Sequence, residues 1–481
     1  MSYSIDRRAL LLGALAACHA PLGRADGARL HEAIAARARA LAQEGTSHLR
    51  MLAPLGCEAN LHPIIRAFQE RTGIGLTLRH TTVDTINARI SLDWLSQKMD
   101  YDLALPATFG LPDLASSGAF RALGDFQARY EPPGFRDGML FQAGDSFDGE
   151  TYGFQTDGDA YVMFYNDTFL ADHREQSSYE DRFGSPLEMP LTWSELDRQI
   201  EWFSRPDDDM WGGVLFRTSG YVGWEWWVRF HAKGLWPLDE DLRPLIAGDA
   251  GVEALEDLIR VTDFLKPGVS HFGLVENWKN FAAGNVYCNI GWGGSQKHFN
   301  GPGSKVKGKL LYGPTPGGIV DGQLLVTPYF NWGWTMAVTS TSQNAELAYL
   351  FALFASTPDV SAEAVSQQGG FFDPHRQEHY QDPVIRGIYS DAFLKVHAAS
   401  MRNAIPDLYL ANQSQYLGAL NKWIVRALDG DVTAKEAMKR VAQSWELTTL
   451  RSDPQRQRQR WRDLRSKYPA QVKARLRSDL S

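Results

Sequence analysis

The sequence predicts an α/β fold with a parallel sheet, in a chain long enough for two or three lobes. Three observations carry this. Segments of strand length alternate with helical segments between residues 46 and 106, the order that βαβ units produce. The 481 residues exceed what one core usually holds. Beyond the first 18 residues no apolar run approaches the ~20 that a membrane-spanning helix needs.

In chain order, residues 28–44 carry Leu30, Ile34 and Leu41 on one stripe of a helix. His48 to Pro54 reads as a strand. A helix follows from about Leu61 to Arg71 and stops at Thr72-Gly73. Gly75 to His80 alternates as a second strand. A helix over Asp84 to Lys98 leads to a third strand, Tyr101 to Pro106. Tyr152 to Asn166 reads as an extended entry and then a buried strand. Pro190-Leu-Thr-Trp-Ser-Glu-Leu opens a helix, with Thr192 and Glu195 spaced as a capping box. Phe281 to Trp292 reads as helix end, turn and strand, Gly313 to Gly318 as a loop, Trp334 to Val338 as a strand, and Asn344 to Ala355 as a helix. From Arg451 the chain is arginine-rich, and a solvated helix with a Trp461/Leu464 stripe is expected.

The N-terminus predicts export. Arg7-Arg8 precede an apolar run, Ala9 to Ala17, which ends Leu15-Ala16-Ala17-Cys18. Residues 1–25 are therefore an expected signal, not part of the fold. The arginine pair resembles a twin-arginine signal, with the general secretory route as the alternative. The ending resembles a lipobox, with Cys18 acylated. Gly23-Arg24-Ala25 offers a second cleavage site, ahead of Asp26, which would release the chain from any anchor. The expected location is periplasmic, with or without a lipid tether.

The formal charge of −8 argues against nucleic acid as a partner. Cys57 and Cys288 make no disulfide scaffold, and two separate thiols are favoured over a pair. The histidines lack metal-ligand spacing. His375 and His379 stand at i, i+4, but Pro374 favours a turn there. No metal and no cofactor are expected. Of the 15 tryptophans several cluster, at Trp224, Trp226 and Trp227, at Trp292, and at Trp332 and Trp334, in glycine-rich segments. Such rings serve either the core or the apolar face of a ligand.

The ordered motifs resemble a bacterial extracellular solute-binding protein of the family that serves sugar-type ABC importers. They are Ile64-Ile-Arg-Ala-Phe-Gln-Glu-Arg-Thr-Gly-Ile, Tyr101-Asp-Leu-Ala, Tyr152-Gly-Phe with Phe164-Tyr-Asn, Pro190-Leu-Thr-Trp-Ser-Glu-Leu, Phe281-Ala-Ala-Gly-Asn-Val and Trp334-Thr-Met-Ala-Val. The family often has Pro-Asp where Tyr101-Asp102 stands, and its pattern gives the arginine-rich tail no function. The resemblance implies a two-lobed periplasmic-binding-protein fold of type II, with discontinuous lobes joined by two or three hinge strands. The crossings would lie near Phe154–Asp159, Val286–Ile290 and Asn331–Val338. Residues 46–155 and 286–333 would then form lobe 1, 156–285 and 334–450 lobe 2, and 451–481 a helical tail.

The expected function is capture of a sugar or polyol between the lobes and delivery to permease subunits, by a monomer without enzymatic activity. A secreted glycosidase-like enzyme, or a binder of a small organic acid, is the alternative. Expected stacking residues are Trp224, Trp292 and Trp332. Asp157 and Asp159 either accept from ligand hydroxyls or build an Asp-Gly-Asp turn. Glu58 and Asn60 follow the first strand and Thr108 the third. Asp373 and Arg376 follow Gly369-Gly370 and either face the cleft or pair within the fold. At least one of Trp226 and Trp227 belongs to the core.

Overall fold

The computed structural model describes residues 24–478. Residues 1–23 of the expected signal, Cys18 among them, lie outside them. The strands of the two main sheets are β1 (His48–Pro54), β2 (Gly75–Thr81), β3 (Leu103–Ala104), β4 (Gly153–Gln155), β5 (Ala160–Asn166), β6 (Trp211–Val214), β7 (Val286–Gly291), β8 (Leu310–Pro314), β9 (Tyr329–Phe330) and β10 (Thr335–Val338).

The first sheet runs β2-β1-β3-β10-β4. β1 lies parallel to β2 over its whole length, from His48 beside Gly75 to Pro54 beside Thr81, and parallel to β3. β10 is antiparallel to both its neighbours. The helix Glu58–Thr72 follows β1 and closes at Gly73, whose positive φ of 76° suits glycine. Thus the βαβ start is present, and returning strands complete the sheet.

The second sheet runs β8-β5-β7-β6, with β9 also paired to β5. Every residue of β5 and β7 is buried. Apolar residues on both faces of β5 (Ala-Tyr-Val-Met-Phe-Tyr) make it an interior strand with helices packed against it. The expected capping box opens the helix Trp193–Phe203, with Thr192 accepting from the Glu195 N–H.

Strand pairing corrects the expected lobe grouping. β7 bonds to β5 and β6, so 286–291 belongs with the second sheet and crosses nothing. β10 bonds to β3 and β4, so 335–338 belongs with the first. Val286–Ile290 is apolar on both faces, as an interior strand requires. The chain instead passes between lobes at 156–159 and at 331–334. A third passage follows the helix Pro358–Val365, which packs on Glu58–Thr72, and precedes Asp391–Asn403, which packs on β5 and β8.

The tail forms the expected helix, and its Trp461/Leu464 stripe packs on the second lobe. Trp461 and Leu464 are buried in the helix Pro454–Lys467. Trp461 packs edge-on to Trp236 of the second lobe at 5.8 Å and donates to the Asp239 carbonyl at 2.9 Å. On its other side Arg460 reaches Asp148 at 2.6 Å, on a hairpin whose Thr151 carbonyl accepts from Leu123 of the first lobe.

Candidate functional site

The three passages converge on three carboxylates. Asp157 and Asp159 come from the first passage and Asp373 from the third. All are buried, with oxygens within 4.8 Å of one another. Asp157 Oδ1 accepts from the N–H of Gly158 at 2.7 Å and of Asp373 at 2.6 Å. Asp159 Oδ2 accepts from the N–H of Gly333, in the second passage, at 3.3 Å. Asp373 accepts from the Gly294 N–H at 2.9 Å and from the Tyr389 hydroxyl at 2.6 Å. The passages press so closely that a Cβ on Gly158 would lie 2.0 Å from the Pro374 carbonyl oxygen, and one on Gly293 2.4 Å from the Asp373 carboxyl. Both glycines are needed for close approach.

One ammonium accompanies the three acids. Lys297 Nζ stands 3.9 Å from Asp373 and donates to the Phe372 carbonyl at 2.9 Å. Burial lowers Lys297, and the three carboxylates oppose that. Burial, with Asp373 alongside, pushes Asp157 well above the ordinary carboxyl range. Burial, then Asp157 and Asp373, do the same to Asp159. Asp157 Oδ2 has no donor beside it.

Against this cluster stands a cage of rings. Trp224, Trp292 and Trp332 pack edge-to-face, with Trp332 at 5.4 Å from Trp224 and 5.9 Å from Trp292. Phe109 of the first lobe reaches Trp332 at 5.3 Å. Tyr221 of the second lobe stacks on Trp332 at 5.9 Å, and its hydroxyl donates to Asp84 of the first lobe at 2.7 Å. A cavity of about 30 Å³ opens beside the cage. Trp292, Trp332 and Trp334 line it together with Trp278 and Phe371. Val83, Leu274, Gly294 and Asp159 complete its wall. A larger groove of about 750 Å³ lies on the second lobe beside Lys233 and Arg477. Those charges are paired with Glu253 at 3.0 Å and Asp321 at 2.5 Å, and no passage touches the groove.

The expected site residues therefore divide. Asp157, Asp159 and Asp373 are brought together, and Asp159, Trp292 and Trp332 reach the cavity. Trp224 supports the cage from behind. Both Trp226 and Trp227 are core. Asn60 does not face the cavity. Its Oδ1 accepts from the N–H of Phe371 and Phe372 at 2.8 and 3.2 Å, which fixes the third passage. The Thr108 hydroxyl donates to the Trp332 carbonyl and holds the second. Glu58 accepts from the Gly56 N–H at 2.6 Å.

Of the two alternatives for Arg376, pairing within the fold is the one seen: it lies 3.4 Å from Glu378. A bridge between Met139 and Arg376 turns its guanidinium away from the cavity, to the carbonyls of Ser356 and Phe135 at 3.2 and 3.1 Å. His375 and His379 are buried. His375 Nδ1 lies 3.1 Å from the Asp373 carbonyl, and His379 Nε2 2.9 Å from the Ser361 hydroxyl. Cys57 and Cys288 are separate, buried thiols. Lys297, Tyr389, Trp278, Phe371 and Trp334 were not singled out as site residues from sequence. Only Trp334 carried a signal there, its place in the Trp332-Gly-Trp pair.

The sequence matches the family model described as bacterial extracellular solute-binding protein over residues 64–387. No curated protein matches it significantly. Among solved structures it is similar to an ABC-transporter solute-binding protein of Agrobacterium radiobacter K84 in complex with ribitol, at TM-score 0.70 and 19% identity, covering 83% of this chain and 98% of that one. The D-mannitol-bound protein of Agrobacterium vitis S4 gives TM-score 0.68 at 16% identity, with 84% and 98% covered. The maltose-bound MalE3 of T. maritima gives 0.69 at 18%, with 83% and 99% covered. At such identities the likeness is one of fold, and it agrees with the mixed α/β architecture described above. The family model spans well over half of the sequence, and the chain belongs to the bacterial extracellular solute-binding proteins.

Proposed function

We propose that this protein is the substrate-binding component of an ABC importer, that it captures a sugar or polyol between its lobes, and that it hands the solute to a membrane permease. The carrying observation is the cavity at the convergence of the passages, walled by tryptophans and one carboxylate. Ring faces cover the C–H faces of a polyol, and a carboxylate accepts from its hydroxyls. The cavity's 30 Å³ is far below the ~300 Å³ of a usual ligand pocket. Entry of a solute therefore requires the lobes to part, as hinge-closing binders do. The Tyr221–Asp84 bond and the Asp113 carboxylate, which accepts from the N–H of Gln413 and Ser414 at 2.8 and 3.0 Å, are contacts that opening would break.

The excess of carboxylates disfavours an organic acid. The same reading makes the protein a non-catalytic monomer, exported from the cytoplasm, with or without an anchor at Cys18. No helix among the described residues is long and apolar enough to cross a membrane. A thermal-shift screen against sugars, polyols and small acids tests the proposal. A raised melting temperature with sugars or polyols, and the ligand recovered unchanged, is the expected result. Turnover of an oligosaccharide, or a shift with acids alone, would replace this reading.

A further inference from the structure

The cavity wall is poor in the groups that an all-hydroxyl ligand needs. Asp159 is the one ionisable side chain on it, and the remaining side chains there are aliphatic or aromatic. The Trp292 indole N–H is already given to Asn331 Oδ1 at 2.9 Å, and that of Trp278 to the Ser295 hydroxyl at 2.8 Å. The Trp332 N–H has no partner, although Trp332 is 94% buried (6% exposed) and lines the cavity. The wall thus presents one carboxylate and, at Trp332, a buried donor without a partner, within a cage of rings.

Charge points the same way. Behind Asp159 stand Asp157 and Asp373, and the ammonium of Lys297 is held on the far side of Asp373 by the Phe372 carbonyl. Three acids share one base in a buried place, where an unpaired charge is costly. A cation entering the cavity meets the deficit, and ring faces attract cations.

Resting on the reading of the chain as a binder of polar solutes, we propose that the cleft selects a solute with a protonated amine beside a hydroxyl, an amino sugar or amino polyol. Its ammonium pairs with Asp159 inside the tryptophan cage, and its hydroxyl oxygen accepts from the Trp332 indole N–H. The neutral counterpart, with hydroxyl in place of the amine, leaves the acidic cluster uncompensated and binds more weakly.

Isothermal titration of the purified chain with matched pairs tests this: glucosamine against glucose, and N-methylglucamine against sorbitol, with calcium and magnesium chloride as separate additions. The amine member is expected to bind about 10- to 100-fold more tightly, the range for a hydrogen bond to a charged partner. Asp159→Asn is expected to abolish that preference. Trp332→Phe is expected to weaken both members of a pair and leave the preference in place. If Asp159→Asn does not fold, the preference of the unaltered chain decides alone. Equal affinity within pairs, or preference for the neutral member, overturns the inference and leaves the sugar or polyol reading standing. Binding of neither member removes both. Stabilisation by calcium or magnesium alone, lost in Asp159→Asn, assigns the trio to a metal ion and overturns the inference.

Discussion

The helix Val222–His231 carries Glu225 and Arg229 into a buried network with Arg217 and Asp197, whereas the passages between the lobes bury Asp157, Asp159 and Asp373 with Lys297 alone. In the network two buried guanidiniums face two buried carboxylates, and the half-exposed Arg260 reaches Asp197 from the rim at 3.5 Å. Arg217 reaches Glu225 at 2.7 Å, and Arg229 reaches Asp197 at 2.7 Å and Glu225 at 2.9 Å. Burial alone would raise Glu225, but Arg217 and Arg229 outweigh it and hold its carboxyl below the ordinary range. Burial still raises Asp197 in that network despite Arg229, and in the passages burial and neighbouring carboxylates push Asp157 and Asp159 well above the ordinary range. A buried network that is neutral and bonded within the chain needs no ligand. One with surplus charge at a cavity is arranged for something that enters.

The largest expected effect breaks the balanced network. Glu225→Ala leaves two buried guanidiniums without their shared partner and should cost about 3–5 kcal/mol of stability. Denaturant unfolding of the unliganded protein measures it. A loss below about 1 kcal/mol would mean that water relaxes into the gap and that the network is not closed.

Next comes the cleft. Trp332→Leu removes the ring that touches Trp224, Trp292, Phe109 and Tyr221. The Kd for the best solute of the screen should rise by a factor that corresponds to about 1–3 kcal/mol. An unchanged Kd in a folded variant would take Trp332 out of the site and reduce the cage to core packing.

How much of this contrast was legible in the sequence follows from what a local pattern encodes. The βαβ start, the capping box at Thr192 and the tryptophan clusters are set by neighbours within a few residues, and they stand where the pattern put them. Partner choice between strands is not local. Val286–Ile290 reads as a buried strand in any sheet, so its place beside β5 was not visible. The third passage has no strand periodicity to mark it as a crossing, yet it delivers Asp373. Lys297 is one charge among many until Gly293 lets the Asp373 carboxyl approach. The tail's arginines suggested solvent, but Trp461 and Leu464 outweigh them by packing against a surface that the sequence order conceals.

A smaller effect sharpens the acidic side. A carboxyl with a raised folded-state pKa binds its proton more tightly folded than unfolded. Stability is therefore lost as pH rises from the ordinary carboxyl value of 3.8 through the higher folded value. Asp159→Asn removes that loss and keeps an acceptor for the Gly333 N–H. The unliganded variant should be more stable than the parent by about 1–2 kcal/mol near neutral pH, with the advantage vanishing as pH falls towards 3.8. Melting curves across that range measure it. A variant less stable than the parent at neutral pH would show that the Asp159 charge is already compensated within the chain.

The smallest expected effect lies at the tail, where ion pairs meet solvent. Asp148 binds Arg460 at 2.6 Å and Arg456 at 3.1 Å, and the Arg456 side chain is 64% exposed. Burial pushes the Asp148 carboxyl up, but Arg460 and Arg456 outweigh it and hold it below its ordinary 3.8. This contribution is present at neutral pH and is lost only as pH falls through that lowered value. Water screens such a pair, so Asp148→Ala should cost about 0–1 kcal/mol, and less still in 1 M salt, where the Debye length is about 3 Å. Trp461 keeps the helix on the second lobe in the variant, so the loss falls on the contact with the first. Melting temperatures at low and high salt measure it. A salt-independent loss above about 2 kcal/mol would mean that the pair is sealed from water and belongs with the Glu225 network, as part of what holds the two lobes in register.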